Sequence, residues 1–166
     1  MNSKLLRVTR EIRVWATVVW VECYGPDEKN LESGISKVID FFEKVDLLFS
    51  PFISRSEVAK LRRNEIKIED CDRLVQEVWN LCAVARDLTG GAFDPWAVAG
   101  GFDPSGYVKG WASDKAVEIL RQHGGTSIQI NSAGDLSLYG GTILNGEQKP
   151  WSIGIRHPED AKTIVK

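Results

Sequence analysis

Two segments of different period meet at Gly25-Pro26-Asp27, and that junction limits what the chain can fold into. Before it, from Lys4 to Tyr24, β-branched and aromatic residues dominate. Trp15, Thr17, Val19, Val21 and Cys23 alternate with Ala16, Val18, Trp20 and Glu22. A period of two describes extended strand, in one pass or two. After it, Leu31, Ile35, Val38, Phe41, Phe42, Val45 and Leu48 recur at helical spacing from Glu28 to Phe49, with Asp27 placed to cap the helix. A strand segment followed by a helix with one broad apolar face predicts a sheet with a helix packed on it.

The remaining segments extend this pattern. Ser50-Pro51 breaks the helix, Ser56-Glu57-Val58 starts a short one ending near Asn64, and Ile66 to Ile68 reads as a short edge strand. Glu69-Asp70 opens another helix, with Leu74, Val75, Val78, Leu81, Cys82 and Ala85 inward, and Thr89-Gly90-Gly91 stops it. A third helix is expected over Trp111 to His123. Strands follow at Ser127 to Ile130, Leu136 to Tyr139 and Trp151 to Ile155, with a turn at Asn131 to Asp135. The final AKTIVK begins a further element. Strand, helices, then strands is an α+β order, with a mixed or antiparallel sheet and packed helices in a single domain over 1–166.

Composition removes several function classes. With 23 acidic and 21 basic residues the net charge is −2, without the basic excess of a nucleic-acid binder. No apolar run is long enough for a membrane span or a signal peptide, so a cytoplasmic protein is expected. The cysteines, Cys23, Cys71 and Cys82, are odd in number and form no CxxC pair, which reads as free buried thiols. P-loop, dinucleotide-fingerprint, HExxH and EF-hand patterns are absent. His123 reads as a charge at a helix C-terminus, and His157, before Pro158, as a turn residue.

What remains is the stretch from Thr89 to Asp114, TGGAFDPWAVAGGFDPSGYVKGWASD, with two Phe-Asp-Pro triplets. Asp94, Asp103 and Asp135 each stand in or beside a Gly/Pro turn. Such carboxylates accept hydrogen bonds from a polar ligand, help to hold Mg²⁺, or simply cap turns. Their interleaving with Phe93, Phe102, Tyr107 and Trp111 points to a flat, nucleotide-like ligand. Phe52 reads as a stacking ring or as a plug beneath the preceding helix. Trp15-Ala16-Thr17 reads as strand core or as a bend at a pocket mouth.

Thr89-Gly90-Gly91-Ala92-Phe93-Asp94-Pro95 resembles the T-x-G-A-F-D-P motif of the ApbE family, the FAD:protein FMN transferases. Asp103 to Ala112 is similar to that family's Asp preceding a K-G-[YW]-A helix start. Asn131-Ser132-Ala133-Gly134-Asp135 resembles its N-x-G-G-D turn, with Ala133 in place of the first Gly. Phe49-Ser50, Ser56-Glu57 and Asn64 fit an earlier F-S…S-E element, and Trp151 to Ile155 with His157-Pro158 fits a later strand. The resemblance runs from about Val14 to Pro158. It implies a T-fold-like α+β domain that binds FAD and uses a divalent metal, usually Mg²⁺. The reaction it implies moves FMN from FAD to a Thr or Ser hydroxyl of a target flavoprotein, or hydrolyses FAD to FMN and AMP.

By position, the resemblance assigns FAD contacts to Phe52, Ala92, Phe93, Asp94 and Asp103, and a metal-facing carbonyl to Gly106. Trp15 falls at a further FAD contact, where the family has the Met of Met-Gly-Thr, so Trp15-Ala16-Thr17 departs from the pattern. The family's later D-[AG]-x-x-T and H-I-x-[DN]-P-x-T-G segments are not in this sequence. The resemblance therefore covers the N-terminal two thirds of the usual length. The expected alternative is a non-catalytic flavin-binding or structural domain, and an uncovered sheet edge or face is expected to favour self-association.

Overall fold

The computed structural model of the chain describes residues 5–160 and 163–165. Strands β1 (Leu6–Val14) and β2 (Thr17–Gly25) form a hairpin, so the first segment is two passes. Trp15-Ala16 is its two-residue turn, which corrects the strand-core reading, and both residues are left-handed, with φ of 55° and 54°. Helix α1 (Glu28–Phe49) has the predicted bounds, and Asp27 caps it by accepting the Asn30 N–H at 3.1 Å. Helix α2 (Glu57–Arg62) is capped by Ser56, whose Oγ accepts the Ala59 N–H at 3.0 Å.

The 66–72 segment differs from expectation. No strand forms there, and Ile68–Asp70 is a single 3₁₀ turn. Helix α3 (Arg73–Leu88) starts later than Glu69, because Asp72 is the residue whose carboxylate accepts the Leu74 N–H. Helix α4 (Ser105–Gln122) starts earlier than Trp111. Gly106 and Gly110 have poor helix propensity and make this stretch look like loop. The Asp103 carboxylate nevertheless accepts the Ser105 N–H at 3.0 Å, and the Pro104 carbonyl accepts from Tyr107 and Val108.

Strands β3 (Ser127–Ser132) and β4 (Asp135–Tyr139) complete an antiparallel sheet of order β1-β2-β3-β4. Two small hairpins follow: β5 (Thr142–Leu144) with β6 (Glu147–Lys149), and β7 (Ile155–Arg156) with β8 (Ile164–Val165). The β5–β6 hairpin turns through Asn145-Gly146, both at positive φ, as Asn-Gly favours in such a turn. Of the strand expected over Trp151 to Ile155, only Ile155 is paired. The element expected in AKTIVK is described only at residues 163–165, where Ile164 and Val165 are strand. Lys4 lies outside the described residues.

Helices α1 and α4 cover one face of the four-stranded sheet. Val8, Val19, Val21, Cys23, Ile128 and Ile130 meet Leu31, Ile35, Phe42, Ala116 and Leu120 there in one core. The other face carries Trp20 in solvent. Because β2 and β3 are antiparallel with Val19 opposite Ser132, the Trp15-Ala16 and Ala133-Gly134 turns emerge at the same end of the sheet. That end also receives the C-terminus of α1 and the N-terminus of α4.

All three cysteines are free and buried, as the sequence predicts. Burial pushes the thiols of Cys23 and Cys82 up to about 12 and that of Cys71 up to about 11. Thiolate is the reactive form and is almost absent at neutral pH for such groups. Ellman's reagent is expected to leave the folded chain unlabelled over a period that labels all three cysteines in denaturant. Rapid labelling of the folded chain would contradict this burial.

Candidate functional site

Two clefts open side by side at that end of the sheet. The first, of about 590 Å³, lies between the Trp15-Ala16 turn, the last turn of α1 and Pro51-Phe52. Trp15 rests edge-on against Phe42, with centroids 4.8 Å apart. Phe52 is 95% exposed, which decides between its two readings: it plugs nothing and is free to stack. The second cleft, of about 530 Å³, runs along the start of α4 past Gly106, Gly110, Asp114 and Asp135. Ser105 and Lys109 line both clefts and join them.

Helix α4 is keyed to the β3–β4 hairpin by polar contacts at successive turns. Lys109 Nζ lies 2.7 Å from Asp135 Oδ2. Ser113 Oγ donates to the Lys109 carbonyl at 3.0 Å and pairs with the buried Ser132 hydroxyl at 2.7 Å. Ser137 donates to Asp114 Oδ1 at 2.6 Å. On the other side of α4, the Glu77 carboxylate accepts from Lys115 at 2.7 Å and from the Trp111 indole at 3.1 Å. Lys115 chiefly, and then Trp111, hold the Glu77 carboxyl below the usual carboxylate range against the effect of its burial. These contacts fix where Lys109 stands relative to both clefts.

The residues assigned from the sequence fall into two groups. Trp15 and Phe52 share the first cleft, and Gly106 lines the second. Ala92, Phe93, Asp94 and Asp103 line neither and form the loop behind α4. Ala92 is exposed, with its N–H on the Thr89 carbonyl. The Phe93 ring packs 6.2 Å from Tyr107, and a Cβ at position 106 would approach it to 3.3 Å, so glycine there admits the ring. Asp94 accepts the Trp96 N–H at 2.9 Å and pairs with Arg86 at 3.2 Å. Asp103 accepts the Ser105 N–H in the turn that leads into α4, and Arg62 stands 3.5 Å away. Both carboxylates therefore close turns. Phe102, between them, is core, packed on Trp79 at 4.6 Å.

The histidines do what the sequence suggests. His123 ends α4 with Nδ1 2.8 Å from the Ile119 carbonyl, and His157 Nδ1 accepts N–H groups of the following turn. Lys109, which lines both clefts, and Asp46, which lines the first, have no distinctive local sequence signal. Lys109 was visible only as a letter in the K-G-[YW]-A pattern. Asp46 carried no local signal, since only the fold brings the end of α1 beside the Trp15 turn.

The chain's residues 97–166 match the family model described as the ApbE family. Its fold superposes on the flavin transferase ApbE from Vibrio cholerae with a TM-score of 0.75 at 17% identity, over 93% of this chain and 65% of that one. The apo flavinyl transferase ApbE of Pseudomonas stutzeri gives 0.75 at 19% identity, over 98% of this chain and 65% of that one. The chain is thus similar to the ApbE family over residues 97–166 and to ApbE flavin transferases in fold. An ApbE protein from Thermotoga maritima agrees, with a TM-score of 0.76 at 18% identity over 96% of this chain and 66% of that one. The chain thus spans about two thirds of the length of these ApbE structures. No match is found among curated protein sequences. Among the described residues, no helix is long and apolar enough to cross a membrane.

Proposed function

We propose that the paired clefts bind FAD and that the activity they serve is transfer of FMN from FAD to a Thr or Ser hydroxyl of a flavoprotein. The observation that carries this reading is the junction at Lys109: a mainly apolar cleft walled by Trp15 and Phe52 opens, past one cation, into a more polar cleft that carries Asp114 and Asp135. A flavin ring suits the first cleft, since flat aromatic faces attract each other and exclude water. A phosphate suits the junction, where a lysine ammonium acts as a point charge. In the reaction, the acceptor oxygen attacks the phosphorus of the FMN half and a phosphoester forms. The pyrophosphate bond breaks, AMP leaves, and the acceptor proton passes to a base. The ApbE sequence pattern and the likeness to flavin transferases support this choice of chemistry.

Such a transfer calls for charge neutralisation at the phosphates, which Mg²⁺ supplies in oxygen-lined sites. Among the described residues no group of three His, Cys, Asp or Glu is placed to hold a metal ion. Asp135 is engaged by Lys109 and Asp114 by Ser137. These residues do not make a Mg²⁺ site by themselves, and the Gly106 carbonyl would be a lone ligand. This favours a second reading, flavin binding without transfer.

Incubation with FAD and Mg²⁺, followed by chromatography for FMN and AMP and mass analysis of an added flavoprotein, tests both. Product supports the transferase, whereas flavin bound without product supports the second reading. Lys109→Ala is expected to weaken FAD and FMN binding by about tenfold while leaving riboflavin, which has no phosphate, nearly unchanged. Equal loss for all three ligands would remove the phosphate from this junction.

A further inference from the structure

We infer that Asp46 is a ligand-binding residue of the first cleft, accepting a hydrogen bond from the imide N–H of the bound flavin ring. This deepens the FAD reading and rests on it. Asp46 lines the cleft beside Trp15, Phe49 and Phe52. It stands in the last turn of α1, where the helix dipole presents its negative end and where no basic residue compensates. Among the described residues no hydrogen bond or ion pair engages its carboxylate. Its helix neighbour Lys44 pairs with Asp72 at 2.9 Å instead, and Lys109, the only other charged residue lining the cleft, pairs with Asp135. Burial raises its carboxyl above the usual range.

A half-buried, unpaired acid at the wrong end of a helix opposes folding on three counts. Residues that break local rules in this way concentrate at functional sites. Trp15 breaks a second rule at the same cleft, because its indole N–H is buried without an acceptor. The ring that fits between Trp15 and Phe52 must offer an N–H to an acceptor on one edge. The flavin imide does this, with an N–H set between two carbonyl groups. An ionised carboxylate is the strongest acceptor that a side chain provides for it.

The test compares riboflavin, 3-methylriboflavin and ADP on the wild-type chain, Asp46→Ala and Asp46→Asn, by fluorescence titration or calorimetry, with circular dichroism to check folding. Asp46→Ala is expected to weaken riboflavin by about tenfold and to leave 3-methylriboflavin unchanged, because methylation has already removed the donor. Asp46→Asn, which keeps a neutral acceptor of the same shape, is expected to fall between. Equal riboflavin affinity in the wild type and both variants overturns this inference while sparing the FAD reading. A loss on ADP rather than riboflavin also overturns it, by placing the other half of FAD at Asp46. A wild-type chain that binds no flavin overturns the FAD reading and this inference together.

Discussion

Replacing Phe42 with alanine is expected to lower the stability of the chain by about 3–5 kcal/mol. Phe42 heads the fully buried side chains by volume and lies at the centre of the α1–sheet core. Its loss removes transfer free energy and leaves a cavity that α1 cannot close, since Leu31, Ile35, Val38 and Val45 already hold that helix against the sheet. Against a total stability of roughly 5–15 kcal/mol, this brings the fold near its limit. The second consequence is at the site. Phe42 backs the Trp15 ring, so the wall of the first cleft loses its support, and the proposed flavin binding is expected to weaken even where the chain stays folded. Urea denaturation followed by helix signal measures the first effect through the midpoint, with the slope unchanged. A loss below about 1 kcal/mol would mean that Phe42 is not closely packed.

The fold was legible where the pattern was long and regular. The α1 bounds follow from seven apolar positions and one capping aspartate, because period and cap are both local. The site was legible only as segments. Phe52 and Trp15 were picked out by type, but their meeting depends on the β1–β2 hairpin, whose turn is hidden: Trp15-Ala16 lacks the Asn-Gly or Asp-Gly that marks such a turn. Asp94 and Asp103 drew notice as carboxylates among glycines and aromatics, and their carboxylates are engaged in turns and pairs with Arg86 and Arg62. Lys109 and Asp135 lie on different elements, and nothing local in either segment pairs them. Asp46 is hidden most completely, because its helical position gives it an ordinary surface pattern and only burial and the absence of a partner set it apart.

The two alanines that depart from the ApbE pattern both occupy left-handed backbone. Ala16 stands where that pattern has the Gly of Met-Gly-Thr, with φ 54°, and Ala133 stands at the first Gly of N-x-G-G-D, also with φ 54°. An L-residue there costs roughly 1–2 kcal/mol, which glycine avoids, less the roughly 0.5–1 kcal/mol of entropy that glycine loses on folding. Ala16→Gly and Ala133→Gly are therefore each expected to stabilise the chain by about 1 kcal/mol, and together by about 2 kcal/mol, since they sit in separate turns. For a chain of this length that is a rise of about 4–8 °C in Tm by thermal melting. Ala83→Gly, the same chemical change in helix α3, is expected to destabilise by about 1 kcal/mol. The opposite sign at Ala83 separates backbone strain from any general effect of glycine, and stabilisation at neither turn would show that Ala16 and Ala133 are not strained. Trp15 carries the same left-handed conformation, but its ring also forms the cleft wall and packs on Phe42. Relieving its strain by substitution would remove the contact that the strained turn holds in place.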